Sequence, residues 1–335
     1  MSPGPLPLAS VSLDLDNLWS YLKTHGNDEW RDRPTYLPGF APVILGLLED
    51  VGMRITFFVV GCDADRDENV DAIRSLAAAG HEIGNHSYEH EPWLHRYGAA
   101  QIDAELALAE QAIERATGRA CEGFRGPGYS WSPTLLETLC RRGYRFDAST
   151  LPTWIGPLAR AYYFSSARLT PEQRVERAAL FGDWGNGRWP NRPYRWELGD
   201  GQRLLEIPVT VFPGLRTPFH FSYLLWLSRY SERVMWAYLR SALAWCRRTG
   251  TEPSVLLHPL DVLGSDVSPA LRFFPGMDQP TDRKTALLRR VLGTIRESFT
   301  PVTMGMHATH LSGRPDLGLR DAGPRHASHL APAVA

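Results

Sequence analysis

Residues 40 to 60 read FAPVILGLLEDVGMRITFFVV. The first thirteen carry apolar residues at helical spacing and stop at Gly52, a residue suited to closing a helix. The next run, RITFFVV at 54–60, is rich in β-branched and aromatic residues and reads as a fully buried strand. A helix and a buried strand joined by one glycine form half of a βαβ unit. Such units build parallel sheets with helices outside.

The same rhythm extends in both directions. VSLDLD at 11–16 reads as the strand before this helix. DENVDAIRSLAAAG (67–80), AAQIDAELALAEQAIERATG (99–118) and SPTLLETLCRRG (132–143) read as helices ending in glycine. Ser132 and Pro133 suit the N-cap and first-turn positions of the last of these. HEIGN (81–85), CEGFR (121–125) and YRFDAS (144–149) read as the intervening strands. QRLLEIPVTVF (202–212), SVLLHP (254–259) and PVTMGM (301–306) add strands, and residues 281–299 a late helix. The fold class is therefore α/β, and seven or eight such units predict a distorted (β/α) barrel.

Residues 1–310 read as a single catalytic barrel. Within it, 151–200 is an irregular insertion, followed by a hairpin turning at Gly199-Asp200-Gly201. Residues 219–247 form an aromatic helical segment with three readings: an outer barrel helix, a lid or dimer contact, or a peripheral membrane contact. The tail 311–335 is rich in Pro, Ala, Gly and His and reads as disordered.

With 36 Lys and Arg against 37 Asp and Glu, the formal charge is −1, which gives no basic excess for nucleic acid. Cys62, Cys121, Cys140 and Cys246 are scattered, with no C-x-x-C pair. MSPGPLPLAS lacks the charged and apolar regions of a signal peptide, and no apolar run reaches the roughly 18–20 residues of a membrane span. These features predict a cytoplasmic protein, and they leave homo-oligomerisation open.

In a parallel sheet or barrel, functional residues gather at the carboxyl ends of the strands. Asp14 and Asp16, His86 and His90, Arg125, Asp147 and His258 all fall at that edge. Asp14 and Asp16 are two apart and face the same way in a strand. His86 and His90 share a face if a helical turn follows their strand. Two imidazoles and one carboxylate leave coordination positions open, as a catalytic metal requires. Donors of this kind, without thiolate, suit Zn²⁺, with Co²⁺, Ni²⁺, Mn²⁺ or Fe²⁺ as alternatives. Each residue alone also fits a plain role as a helix cap or ion-pair partner.

In order along the chain, SLDLDN (12–17), NHSYEH (85–90), RGPGY (125–129), FDAST (146–150) and LLHP (256–259) resemble the motifs of the polysaccharide deacetylase superfamily, carbohydrate esterase family 4. The resemblance implies a metal-dependent hydrolase that removes N-acetyl groups from aminosugars or their conjugates. It implies that Asp16, His86 and His90 hold the metal and that Asp14 is the general base, oriented by Arg125. His258 would be the general acid, Asp147 would tune an active-site group from behind, and the backbone N–H of Tyr129 or a neighbour would help hold an oxyanion. Trp154 and Trp189, with Tyr162, Tyr163 and Trp184, would either offer rings to an N-acetylated sugar or pack the irregular segment against the barrel.

The Asp-Leu-Asp spacing departs from the adjacent aspartates common in the family, and it resembles subgroups that include lipid-linked aminosugar deformylases. It leaves open which aspartate is the base. Asp261 in HPLD also competes with Asp147 for the partnership with His258. A cyclic-amide hydrolase and a non-catalytic carbohydrate-binding protein are the alternative functions.

Overall fold

The computed structural model describes residues 5–156, 158, 184–199, 201–274 and 276–323. Tyr162, Tyr163 and Asp200 lie outside the described residues.

The amino-terminal half follows the strand–helix rhythm closely. Strand β1 (Leu8–Asp14) leads through α1 (Leu18–His25) to α2 (Leu37–Asp50) and β2 (Thr56–Val59). Then come the short α3 (Gly61–Ala64), α4 (Asp67–Ala78), β3 (Glu82–Asn85), α5 (Ala99–Thr117), β4 (Gly123–Phe124), α6 (Pro133–Arg141) and β5 (Phe146–Asp147). Local chemistry sets the ends. Gly118 closes α5 at φ 70°, its N–H donating to the Glu114 carbonyl. The Ser132 hydroxyl accepts from the Leu135 N–H at 3.2 Å and opens α6.

A hairpin of β6 (Tyr194–Glu197) and β7 (Arg203–Glu206) follows the insertion, as the Gly-Asp-Gly turn predicts. The aromatic segment 219–247 forms two helices, α7 (Phe221–Ser228) and α8 (Glu232–Thr249). Phe221, Leu224, Leu225, Met235, Leu239 and Leu243 face the core, while Trp226, Tyr230, Val234 and Trp245 are exposed. The chain then forms β8 (Ser254–Leu257), α9 (Thr281–Ser298), β9 (Thr300–Val302), α10 (Met304–Ser312) and β10 (Gly318–Asp321). PVTMGM is thus a strand only to Val302 and turns helical at Met304. The tail expected to be disordered from residue 311 contains β10, which pairs in parallel with β6.

The strands form one sheet in the order β10-β6-β7-β5-β4-β3-β2-β1-β8, with β9 also on β1. From β5 to β8 every neighbour is parallel. The barrel is not closed by a strand ladder. After β7 the chain reaches β8 through a Thr210 N–H bond to the Ser254 carbonyl at 2.9 Å, answered by the Ser254 N–H to Thr210 Oγ1 at 2.8 Å. Pro208 lies between β7 and this contact and has no N–H for a ladder.

Along β1, Val11 and Leu13 bury against the helices, while Ser10, Ser12 and Asp14 alternate to the other side. The helix-facing layer includes Phe40, Ile44, Leu48 and Phe57, all fully buried. Each such side chain contributes roughly 1.5–3 kcal/mol by leaving water. This packing holds the carboxyl ends of the strands at fixed heights.

Candidate metal centre

Backbone hydrogen bonds carry the sheet register into the residues just past the strands. Leu15 N–H donates to Phe58 C=O, His86 to Val59, Arg125 to Asn85 and Ala148 to Phe124, each at 2.9–3.0 Å. The residue beside each bond therefore starts from a fixed position at the same edge.

The His86–His90 segment is not helical. It is a loop with positive φ at Ser87 (61°) and His90 (52°). Asn85 Oδ1 accepts from the Ser87 N–H at 2.8 Å, and the Asn85 amide donates to the Tyr144 hydroxyl. Glu105 on α5 accepts from the Tyr88 and Glu89 N–H groups, both at 3.0 Å. Gly61 and Cys62 donate their N–H groups to the carbonyls of Ser87 and Tyr88. These polar contacts, rather than a helical turn, bring the two imidazoles to one side.

Their Nε2 atoms converge on Asp16 Oδ1, His90 at 2.9 Å and His86 at 3.4 Å. One ligand atom from each of Asp16, His86 and His90 lies within 4.8 Å of the others. His86 Nδ1 lies 2.6 Å from the Arg125 carbonyl. A carbonyl only accepts, so Nδ1 carries a proton, and in the neutral form of the ring it is Nε2 that offers a lone pair on the side of Asp16. Burial opposes a charged His86, yet the Asp14 and Asp16 carboxylates and the Arg125 carbonyl raise its pKa above the ordinary histidine value. Burial would raise the Asp16 carboxyl, but His90 and His86 hold it well below the usual carboxylate range. Three N and O donors on one edge, with a tautomer fixed from behind, fit a divalent cation.

Two further groups flank this triad. Arg125 is fully buried; its Nη1 donates to Asp14 Oδ1 and Ser12 Oγ, both at 3.0 Å, and its Nε to the Ala148 carbonyl at 2.9 Å. The guanidinium also lies 4.7 Å over the Phe58 ring. Asp14 is thus tethered to Arg125, whereas Asp16 faces the histidines. The tight path after Arg125 needs glycine at 126, where a Cβ would come within 1.9 Å of the Ser130 carbonyl oxygen.

His258 follows β8. Burial alone would depress its pKa, but Asp261, with smaller help from Asp14 and Asp16, raises it to about 9. Asp261 Oδ2 accepts the His258 backbone N–H at 2.8 Å and lies 3.9 Å from His258 Nδ1.

Other expected residues sit elsewhere. Asp147 is buried at the same edge but neighbours Glu206 on β7, and it accepts from the Ser149 hydroxyl. Burial and the Glu206 carboxylate raise its pKa well above the usual range. Asp261, not Asp147, is therefore the carboxylate beside His258. The Tyr129 N–H donates to the Gly126 carbonyl at 3.0 Å and is not free to meet an oxyanion. Its hydroxyl is instead pushed to higher pKa by burial and then by Asp14. Trp189 packs edge-on against Trp131 and Trp196, with centroids 5.2 and 5.4 Å away, so its partly buried ring rests against the core. Trp154 and Trp184 stack 6.3 Å apart at 11° and are both exposed.

Residues outside the strand ends complete the site. The Tyr36 hydroxyl donates to the Asp16 carbonyl. Burial and then the Asp16 carboxylate raise the Tyr21 hydroxyl well above its ordinary value. Trp19 stands edge-on to His90 at 6.3 Å, and its indole N–H donates to the buried Asp63 at 2.9 Å. His220 lies 6.4 Å from His258, ring to ring. These side chains come from helices and loops, where no strand-end rule points to them.

Residues 28–146 match the polysaccharide deacetylase family model. That span contains His86, His90 and Arg125; Asp14, Asp16, Asp147 and His258 fall outside it, and the fold brings them alongside. The chain is 32% identical over 117 residues to a chitin deacetylase of Colletotrichum lindemuthianum, covering 34% of this chain and 47% of that protein. It is 34% identical over 108 residues to a chitooligosaccharide deacetylase of Sinorhizobium fredii, covering 32% of this chain and 48% of that protein. The chain thus spans about half the length of these curated relatives. A solved structure described as a candidate polysaccharide deacetylase from Mycobacterium smegmatis superposes with a TM-score of 0.59 at 20% identity, covering 99% of this chain and 96% of the other. The chain thus resembles the polysaccharide deacetylase family in sequence over residues 28–146 and shares the fold of the solved neighbour over almost its whole length.

Proposed function

We propose that this protein is a metal-dependent hydrolase that removes an N-acetyl group from an aminosugar or an aminosugar conjugate. The observation that carries the proposal is the convergence of Asp16, His86 and His90 between the Asp14–Arg125 pair and the His258–Asp261 pair.

Asp16 Oδ1 and the two Nε2 atoms would hold the cation, most simply Zn²⁺. A cation there would supply Lewis acidity toward the amide carbonyl and toward water. The remaining work falls to side chains. Asp14 takes a proton from the attacking water while Arg125, holding one of its oxygens, keeps the other turned toward the site. His258, kept protonated by Asp261, gives a proton to the departing amine. Amides leave poorly as anions, so this proton is needed for the C–N bond to break. Trp154 and Trp184 offer exposed ring faces to the C–H face of a sugar. The exposed rings of Trp226, Tyr230 and Trp245 leave a peripheral membrane contact as part of the proposal, although no described helix is long and apolar enough to cross a membrane. No disulfide joins the described cysteines, in keeping with a reducing, cytoplasmic setting.

The Asp-Leu-Asp spacing favours a second reading, removal of a formyl group from a lipid-linked aminosugar. One experiment separates the two: incubate the metal-loaded protein with an N-acetylated chitooligosaccharide and with N-formylated aminosugars, and measure acetate and formate. Acetate release that disappears in both Asp14→Asn and His258→Ala, with metal retained, supports the deacetylase. Formate without acetate supports the second reading. Neither product, from protein shown to hold metal, contradicts both.

A further inference from the structure

The turn that carries Asp261 is held from a helix that has no part in the reaction described above. Pro259–Asp261 is a single 3₁₀ turn directly after His258. On one side, the fully buried Lys284 of α9 donates to the carbonyls of Leu260 and Leu263, both at 2.8 Å. On the other, Ser222, the second residue of α7, donates its hydroxyl to Asp261 Oδ1 at 2.7 Å. Asp261 is 2% exposed, so water does not replace a lost donor easily. Its two oxygens are thereby divided, Oδ1 to Ser222 and Oδ2 to His258.

Resting on the hydrolase reading, we propose that Ser222 is a positioning residue for the catalytic acid: its hydroxyl fixes the rotation of the Asp261 carboxylate, and so the orientation and charge of the His258 imidazole. The gap of 3.9 Å between Asp261 Oδ2 and His258 Nδ1 is too long for a hydrogen bond, and a small rotation of the carboxylate closes or widens it. Removing the Ser222 hydroxyl leaves Oδ1 buried without its donor and frees that rotation. Helix α7 then becomes part of the active site, although none of its residues touches the metal ligands.

The groups facing this pair define the electrostatic background. Asp14 and Asp16 of the β1 edge favour the charged imidazole. Tyr21 of α1 faces Asp261. Lys284 of α9 feels the Asp261 carboxylate, and Arg125 after β4 reaches as far as His220. His220, at the N-cap of α7, is buried and held neutral, its pKa lowered to about 3 by burial and then by His258. None of these groups donates to Asp261 Oδ1 in place of Ser222.

The test compares the full chain with Ser222→Ala and Ser222→Thr. The titration of His258 is followed by imidazole ¹H–¹⁵N spectra, with His258→Gln assigning the signal. The expected result is a His258 midpoint about one pH unit lower in S222A and restored in S222T. In the same variant, kcat for acetate or formate release falls about tenfold with KM within about twofold, the scale expected for a residue behind a catalytic group. Metal content stays at the wild-type value, while the melting temperature of S222A falls modestly because the buried Oδ1 loses its donor. An unmoved His258 midpoint in folded S222A overturns the proposal, as does an equal loss in S222T. If the wild-type protein releases neither product, the hydrolase reading fails, yet the His258 midpoint still decides whether Ser222 governs this imidazole.

Discussion

The metal cradle and the aromatic cluster beside β6 are both dense groups of rings on one sheet, and they are completed differently. In the cluster, Trp131, Trp189 and Tyr194 surround Trp196 at centroid distances of 4.5–5.4 Å. The Trp196 N–H is satisfied by Glu206 at 3.0 Å. In the cradle, two imidazoles share one oxygen of Asp16, and the fixed tautomer of His86 turns a lone pair toward it. The first region meets its central indole N–H with a protein carboxylate. The other gathers N and O donor atoms that fit a divalent cation and is held in place from behind by Asn85, Glu105 and the Arg125 carbonyl. Stability and chemistry are therefore separable in this molecule, and substitutions in the two regions are expected to have opposite signatures.

The largest effect belongs to the proton-handling groups. Asp14→Asn and His258→Ala are each expected to lower kcat/KM by roughly 10²–10⁴-fold while metal content holds, checked by steady-state kinetics and elemental analysis. Next comes the cluster. Trp196→Ala is expected to cost about 3–5 kcal/mol in urea unfolding, with the metal affinity of the folded fraction unchanged. A loss of metal affinity in that variant would break the separation. The cradle should respond the other way. A hundredfold excess of Zn²⁺ over its dissociation constant is expected to stabilise the wild type by about 2.7 kcal/mol and to leave the melting temperature of His86→Ala unmoved.

The pH dependence sharpens the same contrast. The folded pKa of His258 is raised to about 9, above the ordinary 6.5, so its contribution to stability is complete below about pH 6.5 and is lost as pH rises toward 9. Activity that needs the protonated acid falls over the same window, and a bound cation, opposing a second positive charge, moves the fall toward its lower end. A pH–rate profile of kcat/KM with its basic limb between about 6.5 and 9 is expected; a limb absent in His258→Ala assigns it. The smallest effect is remote from both regions: Ser132→Ala at the α6 cap should cost about 1 kcal/mol in unfolding and nothing in rate.

The strand-end residues were legible because parallel topology sends every carboxyl end to one edge. Asp14, Asp16, His86, His90, Arg125 and His258 follow from that rule and from the glycine-closed helices. The loop that carries the histidines was not legible as a loop, because i, i+4 spacing looks helical whether a helix or a pinned turn brings the rings together. Asp147 was placed at the right edge, with its partnership to His258 left open against Asp261. Its contact with Glu206 depends on β5 pairing with β7 across the insertion, a long-range choice invisible in local pattern. Tyr21, Tyr36, His220 and Ser222 approach from helices and loops, where a polar or aromatic residue has no distinguishing spacing. Strand β10 is exposed along its whole length and lacks apolar alternation, so its sequence resembles a loop. Closure of the barrel was overestimated because counting βα units says nothing about whether the last strand meets the first.

The most direct test is a crystal of the zinc-loaded protein measured on both sides of the zinc absorption edge. A single anomalous peak is expected at about 2.0–2.2 Å from Asp16 Oδ1 and from the Nε2 atoms of His86 and His90. A fully loaded crystal with no peak among these three atoms, or with zinc held only elsewhere, would contradict the metal centre on which the function rests.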